Sequence, residues 1–82
     1  MREIEANEEL LRYLAKCLVD DPEAVQVQGE DEDGTLVFEL SVADDDLGKI
    51  IGKDGRTARA IRTLLVASAA KTRRRALLQI LE

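Results

Sequence analysis

The sequence predicts one small α+β domain, a three-stranded sheet with helices packed on it, in the order α-β-β-α-α-β. Three observations predict it. Apolar residues recur at helical spacing in the first twenty residues and again between Ala58 and Ala69. Between these segments, residues 25–42 switch to alternation, with Asp33-Gly34 placed where a hairpin reverses. A short apolar run, residues 76–81, follows a cluster of bases near the end. With 82 residues and 45% apolar content, the chain can fill one core and no more.

The first helix is read from Asn7, a suitable N-cap, with Glu8 and Glu9 near its positive end. Leu10, Leu14, Cys17 and Leu18, with Tyr13 beside them, form its apolar stripe, and Cys17 is expected to be a small buried hydrophobe. Asp21-Pro22 ends it, because a residue before proline avoids helical geometry. Val25-Gln26-Val27-Gln28 reads as a strand, Gly29 through Gly34 as a charged turn, and Leu36, Phe38, Leu40 and Val42 as one face of a second strand. These two strands form an antiparallel hairpin. Asp44-Asp45-Asp46 opens and caps a short helix through Lys49, Ile50 and Ile51. Gly52-Lys53-Asp54-Gly55 interrupts it. A longer helix starts at Arg56 or Thr57 and runs to about Thr72, with Ala58, Ile61, Leu64, Leu65, Ser68 and Ala69 on its inner face. Lys71, Arg73 and Arg74 suit the negative end of its dipole. Residues 76–81 read as the last strand, with a continuation of the helix as the alternative. There is no linker or repeat, so residues 1–82 are one unit.

Composition removes several classes of function. The chain has no histidine and a single cysteine, which excludes Cys/His zinc sites, histidine-based catalysis and an internal disulfide. No run approaches the ~20 apolar residues of a membrane span. The start, Met1-Arg2-Glu3-Ile4-Glu5, has no apolar signal segment, so a cytoplasmic location is expected. Asp31-Glu32-Asp33-Gly34 lacks the flanking ligands of a calcium loop, and capping accounts for Asp44-Asp45-Asp46 more simply than a metal does. The expectation is a binding module with no cofactor and no enzymatic activity.

The net charge of −5 conceals a division. Residues 1–46 hold fifteen acids against three bases, whereas residues 47–82 hold nine bases against two acids. A locally basic half attracts a polyanion whatever the total charge. Its centre is the segment from Gly48 to Arg62. Two glycines three apart, Gly52 and Gly55, permit a tight turn and a close approach of another backbone. The N–H groups opening the next helix favour phosphate, and Lys49, Lys53 and Arg56 surround the turn with positive charge. Ile50 and Ile51 precede it, offering an apolar contact for bases. This pattern suits single-stranded nucleic acid. Other phosphate motifs fail: Lys53 is followed by Asp54 and not by the Ser or Thr of a P-loop, and no Gly-x-Gly occurs. With Tyr13 and Phe38 as the only aromatics, a stacking sheet surface is disfavoured.

Ile50-Ile51-Gly52-Lys53-Asp54-Gly55-Arg56, followed by Ile61, resembles the GxxG motif of a KH domain, which clamps about four nucleotides. The element order resembles the type II, bacterial form of that fold. Over nearly its whole length the chain resembles the stand-alone bacterial KH proteins of the KhpA family. The resemblance implies single-stranded RNA binding through Lys49, Ile50, Ile51, Gly52, Lys53, Asp54, Gly55 and Arg56, and the three-residue repeat adds Arg59. It further implies an RNA chaperone role, a homodimer or a heterodimer with a larger KhpB/Jag-type KH protein, and a link to cell-wall synthesis and cell shape. Asp54 departs from an ideal phosphate clamp by placing a negative charge in the loop. The rival reading is a dimerising adaptor with weak or partner-supplied RNA contact. A helix-turn-helix DNA binder ranks below both, since Thr57, Ala58 and Ala60 offer little for base reading.

Overall fold

The computed structural model describes residues 2–82. Helix α1 (Arg2–Leu18) leads to strands β1 (Gln26–Glu32) and β2 (Thr35–Ser41). Helix α2 (Leu47–Ile51), helix α3 (Arg56–Ala70) and strand β3 (Arg75–Ile80) follow, giving the predicted order α-β-β-α-α-β. β2 is central, antiparallel to β1 and parallel to β3. The parallel pairing follows from the α2–α3 connection, which returns the chain to the end of the sheet from which β2 started.

One face of the sheet builds the core. Leu36, Phe38 and Leu40 of β2 are fully buried, with Val27 of β1 and Ala76 and Leu78 of β3 beside them. Against them lie Leu11 and Ala15 of α1, Ile50 of α2, and Ile61, Leu65 and Ala69 of α3. Each large aliphatic side chain so buried contributes roughly 1.5–3 kcal/mol. Among the described residues no helix is long and apolar enough to cross a membrane.

Helix α1 departs from the sequence reading. It begins at Arg2, so Asn7 is an interior residue that is 3% exposed and donates through Nδ2 to the Glu3 carbonyl. With the longer helix in place, Glu3 and Glu5 are the first-turn acids that suit the dipole. The buried positions are Asn7, Leu11 and Ala15, one step round from the expected stripe; Leu10 and Leu14 are half-buried, and Leu18 and Cys17 are exposed. Helical spacing fixes the width of an apolar stripe, and the neighbouring elements decide which edge of it faces inward.

The hairpin is tighter than expected. Gly29 through Glu32 belong to β1, and only Asp33 and Gly34 form the turn, both at positive φ (53° and 92°) as a two-residue type I′ reversal requires. Gly29 lies opposite Phe38, and a Cβ there would stand 2.6 Å from Cε1 of that ring. A glycine in this strand therefore makes room for the largest core side chain and does not break the pairing. Its N–H donates to the Glu8 carboxylate at 2.7 Å, closing part of the free edge of β1. On α3, Leu64 is exposed and Ser68 half-buried, so the inner face narrows to Ala58, Ile61, Leu65 and Ala69. The helix ends in a Schellman turn, with Arg73 at φ 59° and the Arg74 N–H on the Ala69 carbonyl.

Candidate nucleic-acid interface

The turn between α2 and α3 has the conformation its glycines permit. Gly52 takes φ 75° and ψ 173°, Asp54 φ 57° and Gly55 φ 75°. The Gly52 N–H closes α2 on the Gly48 carbonyl at 2.8 Å, and the Gly55 N–H returns to the Gly52 carbonyl at 3.1 Å. Lys53 and Asp54 stand exposed at the tip. α3 begins directly at Arg56, whose N–H donates to the Lys53 carbonyl; the following N–H groups of its first turn lack partners within the helix.

Next to the loop runs a groove of about 270 Å³ between α3 and the end of β3. Ile51, Ala58 and Ile80 give it an apolar lining, while Arg59, Arg62 and Glu82 bring charge to it. Gly55 is its glycine margin. Lys53, Arg56, Arg59 and Arg62 are exposed, and among the described residues none of them is held in an ion pair. They are available to a polyanion.

Two predicted contacts and one predicted cap are placed differently. Ile50 is fully buried in the core, so it supports the loop from below and cannot meet a base; Ile51 alone of the pair reaches the groove. The Lys49 ammonium is held by Asp20 at 2.7 Å and Asp46 at 3.0 Å. Those hydrogen bonds, Asp20 first, raise its pKa above the usual lysine value. Asp46 was expected to cap α2, yet its side chain caps neither its own turn nor the helix. It is 2% exposed and accepts the backbone N–H groups of Asp21 at 3.0 Å and Asp20 at 3.2 Å. The Asp21 N–H is the main cause that holds its carboxyl below the usual range, against the opposing effect of burial. This knot ties the end of α1 to the helix that carries the loop.

Arg74 is likewise engaged within the fold. It pairs with Asp31 at 2.6 Å and Glu3 at 3.1 Å, and donates to the Gly34 carbonyl at 3.1 Å, strapping the hairpin to α1. Asp31 is therefore an ion-pair partner within the fold and not a freely solvated turn residue, with its pKa lowered chiefly by Arg74. Sequence reasoning missed Ile80, Glu82 and Ala58 as groove residues. Only the pairing of β3 beside β2 brings residue 80 to a loop almost thirty positions earlier, and no local pattern announces it.

A GxxG turn between two short-linked helices, beside a groove at the edge of an α-β-β-α-α-β sheet, defines a type II KH domain. A family model described as "KhpA/KhpB, KH domain" matches residues 8–80. The chain belongs to this KhpA/KhpB KH-domain family, which is not a family of enzymes. The RNA-binding protein KhpA of Chlamydia pneumoniae is 51% identical over 74 residues, covering 90% of this chain and 95% of that protein. The KhpA of Borreliella burgdorferi is 46% identical over 82 residues, covering all of both. Among solved structures, Aquifex aeolicus Era bound to GDP and aluminium fluoride superposes with a TM-score of 0.62 at 22% identity, over 92% of this chain. The chain spans 29% of that Era molecule, and the likeness establishes the shared fold. An Era complex with MgGDPNP and nucleotides 1506–1542 of 16S ribosomal RNA gives a TM-score of 0.61.

Proposed function

We propose that this protein binds single-stranded RNA in the groove beside residues 52–55 and performs no chemistry on it. The observation that carries this reading is the groove with an apolar floor, bounded by the glycine turn and by Arg59 and Arg62, with Lys53 and Arg56 outside any ion pair beside it. A sugar-phosphate backbone packs against Gly52 and Gly55, where no Cβ intervenes. Bases enter over Ile51, Ala58 and Ile80, and the arginines answer the phosphates. The name RNA-binding protein KhpA carried by its relatives supports the same reading.

The protein acts in the cytoplasm as an RNA chaperone and as one half of a dimer, with a second copy or with a KhpB/Jag-type partner. The resemblance to its family extends this to post-transcriptional regulation, cell-wall homeostasis and cell shape. A four-nucleotide site binds weakly alone, and joining two raises affinity by ~10²–10⁴. The family description names KhpA and KhpB together, and Leu64 and Val66 of α3 lie 48% and 51% exposed, available to an interface.

Lys53→Asp tests the site. It leaves two acids between the glycines and is expected to abolish RNA binding in a titration, while circular dichroism shows an unchanged fold. Unaltered affinity in the folded variant removes this loop as the site and favours the adaptor reading.

A further inference from the structure

The groove occupies one edge of the molecule and leaves the outer face of the sheet, turned away from the helices, without a role. Register places Glu30, Val37 and Leu77 side by side across all three strands of this face. Val37 and Leu77 thus form a contiguous apolar pair, with Leu77 60% exposed. Glu39 lies in the next row on one side, and Glu32 and Arg75 in the row on the other. All of these side chains except Arg75 line a shallow depression of about 220 Å³ in which carboxylates and the apolar pair are adjacent. Among the described residues, none of Glu30, Glu32 and Glu39 takes part in an ion pair or a side-chain hydrogen bond.

We propose that this face docks an extended protein segment whose every second side chain faces the sheet, with lysine or arginine on both sides of an aliphatic residue. Three unpaired carboxylates against one arginine repel phosphate, and no aromatic is present to stack a base, so RNA does not fit. Charge complementarity selects a basic partner, and the Val37–Leu77 pair supplies the apolar contact that a purely solvated face lacks. Spacing selects an extended segment. Glu30 and Glu32 are two residues apart on one strand, about 6.6 Å, which is also the repeat of alternate side chains in an extended chain. The basic stripe of α3 in a second copy repeats every three helical residues, about 4.5 Å, and does not match.

The test uses the whole chain, isotopically labelled for NMR, titrated with a capped Lys-Ser-Lys-Ser-Val-Ser-Lys peptide, whose alternate residues put lysines and the valine on one face. Amides of Glu30, Glu32, Val37, Glu39 and Leu77 are expected to shift while those of residues 52–62 stay in place. The Glu30→Lys/Glu39→Lys double variant should bind at least about tenfold more weakly, and Leu77→Ser severalfold more weakly, with unchanged circular dichroism. The same peptide with glutamate in place of lysine should not bind, and the one with serine in place of valine should bind at least about fivefold more weakly. The proposal is overturned if the peptide shifts map to the loop, if the acidic peptide binds equally, or if a random RNA octamer moves the sheet-face amides. It is also overturned if the double variant changes the sedimentation mass, which would assign the face to a second copy.

Discussion

Replacing each loop glycine by alanine separates two roles that the motif spells identically. At Gly52, φ 75° with ψ 173° lies in a region open essentially to glycine alone, and an L-residue held there costs ~1–3 kcal/mol. A Cβ at this position would stand 2.7 Å from Thr57 Cβ and 2.9 Å from its backbone nitrogen, and closer still to Thr57 Oγ1. The hydroxyl can rotate away. The Cβ and nitrogen cannot, because they belong to the first turn of α3, and overpacking of this kind adds ~1–3 kcal/mol. The two effects place Gly52→Ala at about 2–6 kcal/mol. Gly55, at φ 75° and ψ 12°, occupies the ordinary left-handed well, where alanine costs about 1–2 kcal/mol. Its Cβ would meet only Arg59 Nη1, at 3.4 Å, the end of a flexible side chain. A domain of this size holds roughly 0.05–0.15 kcal/mol per residue, about 4–12 kcal/mol in all. Gly52→Ala thus removes a larger share of it than Gly55→Ala, which leaves the domain folded. Urea unfolding followed by circular dichroism measures both, and the slope should be unchanged. Gly55→Ala, still folded, should bind RNA more weakly because its methyl group stands where the nucleic-acid backbone approaches. Equal destabilisation by the two alanines would refute the distinction and the geometry behind it.

Salt dependence tests the charge reading: contact with two or three phosphates gives a log-log slope of about −1.4 to −2.1, and a flat titration points to protein recognition instead. Acid acts through Asp46 and Asp31, whose carboxyls titrate below their usual values in the fold. Their stabilisation is complete above the unfolded carboxylate value near 3.8 and is lost as pH falls below it through the lower folded values, so urea midpoints should drop on acidification below that value, and less so in Asp46→Asn. Light scattering should show a dimer of the pure chain, or of the chain with a KhpB-type partner, that Leu64→Glu weakens; a strict monomer that ignores such a partner ends that proposal.

The sequence alone carried the element order, the hairpin turn and the loop between two helices. These are local: an alternation, a helical period, an Asp-Gly pair and two glycines three apart act within a few residues of themselves. Composition likewise excluded Cys/His zinc sites and histidine chemistry without any fold. The start of α1 was misread because Asn7 is as good a cap in isolation as it is a helix-interior donor to Glu3, and nothing local separates the two.

Which charges remain free for a ligand was decided only by the tertiary structure. Lys49, Arg73, Arg74 and Arg59 are indistinguishable as bases along the chain. Asp20, 29 positions away, pairs with Lys49, and Asp31 and Glu3, 43 and 71 positions away, pair with Arg74. The same holds for the apolar pair Ile50-Ile51, of which the core claims one and leaves the other to the groove. Periodicity shows which side chains can share a face, but burial and ion pairing depend on what long-range pairing brings opposite that face. The parallel docking of β3 beside β2 set Ile80 next to the loop and left Val37 and Leu77 together on the open sheet.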